Sequence, residues 1–227
     1  KVVATASDDM TVRLWDVETG ICQQTLKGHS HDVTWVTFSP DRKVLASASY
    51  DYTVRLWDPE TGDFLRVLKG HGNYVHSAVF SPDSNTLASA SEDWTVQLWE
   101  ARTGNTKILR GHIKACKLVT FSPESDVIAS ASADETVRLW ATESGTCLQT
   151  IKIGILTCSL SFNEEGTCVL TDIGAIIRNG GGQAVSTMIT TEETASSRSE
   201  TPKPQVKQGL GISEDRCWIT RNDDRLL

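Results

Sequence analysis

The chain has 227 residues, 39% of them hydrophobic and 22% charged, with a formal net charge of −7. Those proportions belong to a globular protein long enough for a sizeable core. The acid excess comes without a basic stripe, which argues against nucleic acid as a partner, and no apolar run approaches the roughly 20 residues a membrane helix needs, so membrane insertion is not expected.

In chain order, Lys1 opens directly on a predicted strand over residues 2–7, with neither a starting Met nor a signal peptide. The sequence is therefore expected to be a piece of a longer protein. A second unit follows with every strand in place. Val33 to Phe38 is apolar and β-branched, and Ser39-Pro40-Asp41 supplies a turn in which Pro presets φ. Val44 to Ser49 is a second strand of small residues. Tyr50-Asp51-Tyr52 turns the chain into Thr53–Trp57, and Glu60-Thr61-Gly62 turns it again into a fourth strand, Phe64 to Leu68. Helical spacing appears nowhere.

The unit then repeats. Trp15, Trp57, Trp99 and Trp140 stand 42, 42 and 41 residues apart. The pairs Gly28-His29, Gly70-His71 and Gly111-His112 keep the same period. So do Phe38-Ser39-Pro40, Phe80-Ser81-Pro82 and Phe121-Ser122-Pro123. Three independent markers on one period define a repeat protein made of four-stranded units.

The run Ser49 to Asp58 (SYDYTVRLWD), with Gly28-His29 upstream, resembles the WD (tryptophan–aspartate) repeat over residues 1–152. The terminal Asp of the motif is kept at Asp16 and Asp58 and replaced at Glu100 and Ala141. The resemblance implies an all-β fold, a β-propeller of four-stranded antiparallel blades. At about 42 residues per blade the chain holds only five to six, whereas the family usually closes with seven. An incomplete propeller is therefore expected, its blades filling residues 1–178 with the first partial and the fifth degenerate.

His29, Ser47, Asp51 and Trp57 contain the residue types of a Ser-His-Asp catalytic set. The set recurs as His71, Ser89, Asp93, Trp99 and as His112, Ser130, Asp134, Trp140, with a fragment in Thr5, Asp9 and Trp15. An active site is normally built once, whereas a packing device is built in every repeat. The resemblance implies the geometry of such a device: Asp accepts from His, His bonds the Ser hydroxyl, and Ser accepts the Trp indole N–H. No P-loop, GxSxG, HExxH or EF-hand pattern is present. Cysteines 22, 116, 147, 158, 168 and 217 make neither a CxxC nor a metal-ligand spacing, so reduced thiols in the cytoplasm are expected, with no metal and no cofactor.

Beyond residue 152 the marks fade. Thr167 to Asp172 and Ala175 to Arg178 read as two further strands. Residues 179–209, rich in Gly, Ser, Thr, Glu and Pro, read as a solvated flexible loop. Residues 210–227, with Cys217-Trp218-Ile219-Thr220, read as degenerate terminal strands. They resemble the closing blades of fungal WD proteins related to NACHT-type (NOD-like) incompatibility receptors, although Arg221 stands where those carry a second Trp.

The resemblance implies a non-catalytic protein–protein interaction scaffold, an adaptor or a ligand-sensing module of a NACHT-type receptor. An adaptor for mitochondrial fission or another organelle complex is the alternative. An enzyme on a propeller scaffold is a third reading, which would need one asymmetric polar cluster that the sequence lacks. Two kinds of position vary between repeats on the rim where the His and Asp loops emerge. One precedes each tetrad Asp: Asp8, Tyr50, Glu92 and Ala133. The other follows each Gly-His: Asp32 and Thr34, Tyr74 and His76, Ala115 and Lys117. Tyr50, Tyr74, His76 and Trp94 put aromatic rings where the framework requires none, and aromatics are over-represented among interface anchors. These four are the candidate protein-contact residues.

Overall fold

The computed structural model of the chain describes residues 1–177 and 219–220. The calls made on residues 178–218 and 221–227, including the flexible loop, Cys217, Trp218 and Arg221, lie outside the described residues.

The described chain is β-strand and turn throughout. Blade 1 contains β1 (Val2–Ala6), β2 (Thr11–Asp16) and β3 (Cys22–Lys27), and blade 2 contains β4 (Val33–Phe38), β5 (Leu45–Ser49), β6 (Thr53–Trp57) and β7 (Phe64–Lys69). Blade 3 is β8 (Val75–Phe80), β9 (Thr86–Ser91), β10 (Val96–Glu100) and β11 (Thr106–Leu109). Blade 4 is β12 (Cys116–Phe121), β13 (Val127–Ser132), β14 (Thr136–Ala141) and β15 (Cys147–Lys152). Blade 5 is three-stranded: β16 (Leu160–Phe162), β17 (Cys168–Thr171) and β18 (Gly174–Ile177). Every pairing is antiparallel between sequence neighbours except one. The two-residue β19 (Ile219–Thr220) pairs with β1 and takes the place that β4, β8 and β12 hold in the complete blades. The first blade, expected to lack its early strands, thus receives one from the far end of the sequence.

The blades stack by a repeated contact between unlike faces. Ala46, Ala48, Val54, Leu56 and Leu68 of blade 2 pack on Val75, Ala78, Phe80, Leu87 and Trp99 of blade 3. The same positions pair blade 1 with blade 2, blade 3 with blade 4 and blade 4 with blade 5. The small residues of the second strand explain the fit. The strands β5 (LASAS), β9 (TLASAS) and β13 (VIASAS) are almost wholly buried, and Ala and Ser let the next sheet approach until an indole fills the gap. Trp57, Trp99 and Trp140 are at most 2% exposed, a degree of burial at which truncation to Ala costs about 3–5 kcal/mol. Five such sheets form an open propeller of the size expected from the repeat length.

The Gly of the Gly-His pairs serves close approach or an unusual backbone. A Cβ on Gly70 would stand 2.9 Å from the Trp99 ring and one on Gly111 3.2 Å from the Trp140 ring, and Gly28 and Gly111 hold φ of 155° and 157°, which L side chains rarely adopt.

Candidate functional site

The three complete blades share one polar arrangement. In blade 2, His29 Nδ1 lies 2.7 Å from Asp51 Oδ2, and His29 Nε2 lies 2.7 Å from Ser47 Oγ, which accepts the Trp57 indole N–H at 2.8 Å. In blade 3 the distances from His71 to Asp93 and Ser89 are 2.8 and 2.7 Å, and Trp99 donates to Ser89 at 2.8 Å. In blade 4, His112, Asp134, Ser130 and Trp140 repeat it with 2.8 Å at each link. The Asp carboxylates also receive the side chain and backbone N–H of Thr53, Thr95 and Thr136. Blade 1 keeps only Trp15 donating to Thr5 at 2.9 Å, while its Asp9 turns outward to Thr11 and Arg13.

The electrostatics follow from that satisfaction. Burial alone would raise the carboxyls of Asp51 and Asp93, but the bonds from His29 and Thr53, and from His71 and Thr95, hold both well below the usual carboxylate range. Asp134 is held at about 2 against the same burial, by Thr136 and His112. Burial pushes the His112 imidazole down, which favours the neutral ring that donates to Asp134 and accepts from Ser130. What separates these sets from a Ser-His-Asp triad is that Ser47, Ser89 and Ser130 are fully buried and that each hydroxyl oxygen also accepts a Trp indole N–H.

The rim where these loops emerge is built from two bonded edges. The residue before each tetrad Asp donates its backbone N–H to the loop after each Gly-His: Tyr50 to Asp32, Glu92 to Tyr74 and Ala133 to Ala115, at 3.0, 2.8 and 2.8 Å. Just inside, the pairing of the first two strands of blades 2, 3 and 4 slips by one residue, leaving Thr34, His76 and Lys117 as bulge residues. A bulge re-aims its side chain. Here the re-aimed groups reach across blades. Thr34 donates to the Val75 carbonyl at 2.7 Å, and Lys117 Nζ lies 2.7 Å from Glu92 Oε2 and 3.0 Å from His76 Nε2. His76 is 2.6 Å from that same Glu92 oxygen. Burial, aided by Lys117, lowers the His76 imidazole despite Glu92, and the Lys117 bond lowers the Glu92 carboxyl.

Of the four candidate contact residues, three meet. Tyr50 of blade 2 and Tyr74, on the loop entering blade 3, approach to 4.5 Å between ring centroids, and His76 stands edge-on to Tyr50 at 5.8 Å. Trp94 lies on the same rim next to Asp93 and is 54% exposed. Two further rings belong to the cluster and were not singled out from sequence: Tyr52, 5.6 Å from Tyr74, and His31, 5.8 Å from Tyr50. The signal for Tyr52 was available, since an aromatic is not needed at a turn position. At the opposite ends of the inner strands a concavity of about 420 Å³ is lined by Phe38, Phe80, Phe121, Pro40 and Pro82. It is made by the recurring Phe-Ser-Pro framework itself. Among the described residues, no cluster of His, Cys, Asp or Glu is placed to hold a metal ion, the five cysteines are free, and no helix is long and apolar enough to cross a membrane.

Stacked four-stranded blades tied by buried Asp-His-Ser-Trp sets define a propeller built of repeats. A family model for the WD domain, G-beta repeat, matches residues 1–16, 20–58, 62–100 and 104–141, more than half of the chain, and the chain belongs to that family. It is similar to the human F-box-like/WD repeat-containing protein TBL1Y, 57% identical over 42 residues, 18% of this chain and 8% of that protein. Coatomer subunit beta'-1 of Arabidopsis thaliana is 51% identical over 37 residues, 16% of this chain and 4% of the coatomer protein. Nuclear distribution protein PAC1 of Fusarium vanettenii is 50% identical over 40 residues, 18% and 9% of the two chains. The aligned stretch is thus one repeat and under a tenth of each relative's length.

Proposed function

We propose that the chain is a non-catalytic protein-interaction scaffold whose partner docks on the rim carrying Tyr50, Tyr74, His76 and Trp94. One observation carries the reading: Tyr50 and Tyr74, from consecutive blades, meet in a ring contact on a surface where neither the blade cores nor the tetrads call for an aromatic. Proteins of WD repeats are typically interaction scaffolds, and the relatives' differing names fix the fold rather than a partner. The enzyme reading is disfavoured because the Ser-His-Asp sets are buried, threefold and internally satisfied.

The resemblance of residues 210–227 supports a ligand-sensing module of a NACHT-type receptor. The adaptor alternative, for mitochondrial fission or another organelle complex, rests on the repeats alone. A nucleotide-binding P-loop domain encoded beside these repeats favours the first, and a heptad segment favours the second. Either role places the scaffold in the cytoplasm, where its thiols stay reduced.

The test compares the proteins captured by the wild-type chain and by the Tyr50→Ala/Tyr74→Ala variant, with the melting of both recorded. The reading expects partners lost by the variant while its melting midpoint falls by a few degrees at most. An unchanged set of partners, or a variant that simply unfolds, removes the patch from the account.

A further inference from the structure

Blades 1 to 4 each turn from their second to their third strand through a residue with positive φ, and none of these is Gly. They are Met10 (φ 67°), Tyr52 (70°), Trp94 (70°) and Glu135 (65°). For a bulky L-residue that conformation is strained, and Gly would hold it without strain. The side chains gain little from the fold in return, since Met10, Tyr52 and Trp94 are 44, 43 and 54% exposed. Strained residues that contribute little to their own core direct attention to what they contact from outside. They extend the Tyr50–Tyr74 cluster along the rim of three consecutive blades.

The charge beside those rings is acidic. Asp32 and Glu92 are the ionisable carboxylates next to the tyrosines, and the Asp51 and Asp93 carboxylates beneath them stay ionised. The cation at the cluster is Lys117, which reaches over from blade 4 and sets its ammonium on Glu92 at 2.7 Å. Of the other basic side chains, Lys27 and Lys69 end the outer strands at the periphery, and the exposed Lys114 stands on the loop of blade 4. Ring faces with carboxylates at their edge attract ammonium and guanidinium groups through the ring quadrupole and direct charge pairing.

We propose, building on the scaffold reading above, that the occupant of this rim is a partner-protein segment presenting an Arg or Lys among apolar side chains. The cation stacks on the Tyr50–Tyr74–Tyr52 rings and pairs with Asp32, since the Glu92 carboxylate is already held by Lys117 and His76, and the apolar neighbours cover Trp94 and Met10.

A displayed library of random peptides, selected on the full chain and counter-selected on Tyr50→Ala/Tyr74→Ala, tests this directly. The expected result is enrichment of Arg or Lys beside apolar residues. A synthetic peptide of the selected sequence should bind Asp32→Asn about tenfold more weakly, the order expected for one charged hydrogen bond. The Asp32 carboxylate pairs only with the neighbouring His31 and ties no two blades together, so this variant is expected to melt close to the wild type and reports on the charge even where the tyrosine variant folds poorly. Selected peptides that need the tyrosines but are neutral or acidic, or that bind Asp32→Asn undiminished, overturn the inference and leave the scaffold reading standing. A selection yielding no peptide that distinguishes wild type from both variants overturns the inference and the docking patch together.

Discussion

Tyr50 and Tyr74 lie 4.5 Å apart between ring centroids, with planes inclined at 36°, although one closes a turn of blade 2 and the other leads into blade 3. The contact therefore couples two blades on a surface that solvent reaches. Such ring pairs contribute about 0.5–1.5 kcal/mol beyond burial. A double-mutant cycle of Tyr50→Ala and Tyr74→Ala, followed by thermal unfolding, should return a coupling in that range. A coupling of zero would mean that the rings do not rest on one another in solution.

The tetrads allow an internal comparison. Ser89 Oγ is fully buried and serves both His71 and Trp99, whereas Thr5 serves only Trp15, which is partly exposed. Ser89→Ala, Asp93→Ala or His71→Ala should each destabilise by about 1–3 kcal/mol, the cost of an unsatisfied buried polar group. Thr5→Val should cost less, because water can take over the Trp15 N–H. Denaturant titration of the variants decides, and equal losses at Thr5 and Ser89 would contradict the reasoning.

Acidification should weaken the fold in two stages. His112 is lowered from its ordinary 6.5 by burial, so below that pH the unfolded chain takes up a proton before the folded one, and stability falls. Asp51, Asp93 and Asp134 are lowered from 3.8, Asp134 to about 2, so the stability they supply is complete above about 4 and is lost as pH falls toward 2. Both slopes have the same sign. Melting midpoints recorded from pH 8 to pH 2 should fall first in the range below 6.5 and more steeply below 4. A midpoint constant down to pH 3 would rule out buried neutral His112 as a contributor.

Relieving the left-handed strain should separate stability from binding. Trp94→Gly removes an exposed side chain from a φ of 70° and should raise stability by about 1 kcal/mol. The midpoint then rises by roughly 2–4 °C for a chain of this size. A lowered midpoint would show that the indole packs on the rim and supports the blade.

What was legible in the sequence was whatever the repeat writes more than once. The period of Trp, Gly-His and Phe-Ser-Pro carries the blades, because the interblade contact uses the same positions each time. Strand alternation puts the Ser four residues before Asp on the same face of the hairpin as Trp, diagonal to it, with Ser47 paired to Arg55 and Trp57 to Leu45. What escaped notice was written once or not in side chains. The pairing of Ile219–Thr220 with β1 is made through backbone groups, which leave no residue pattern. The meeting of Glu92 with His76 and Lys117, which stand a full repeat apart, depends on bulges whose slip the sequence does not mark. Tyr52 joins Tyr74 because neighbouring blades bring their turns together.

The central claim is a division of labour: buried tetrads hold the blades, and the rim above them binds. Hydrogen–deuterium exchange of the chain, alone and saturated with a captured partner or selected peptide, tests it most directly. Binding should slow exchange in the loops over residues 30–32, 50–52, 72–76 and 92–94. It should leave unchanged the turns at the other ends of the strands, over residues 58–63, 81–85 and 100–105. Protection confined to those opposite turns, with the tyrosine loops exchanging as before, would contradict the account.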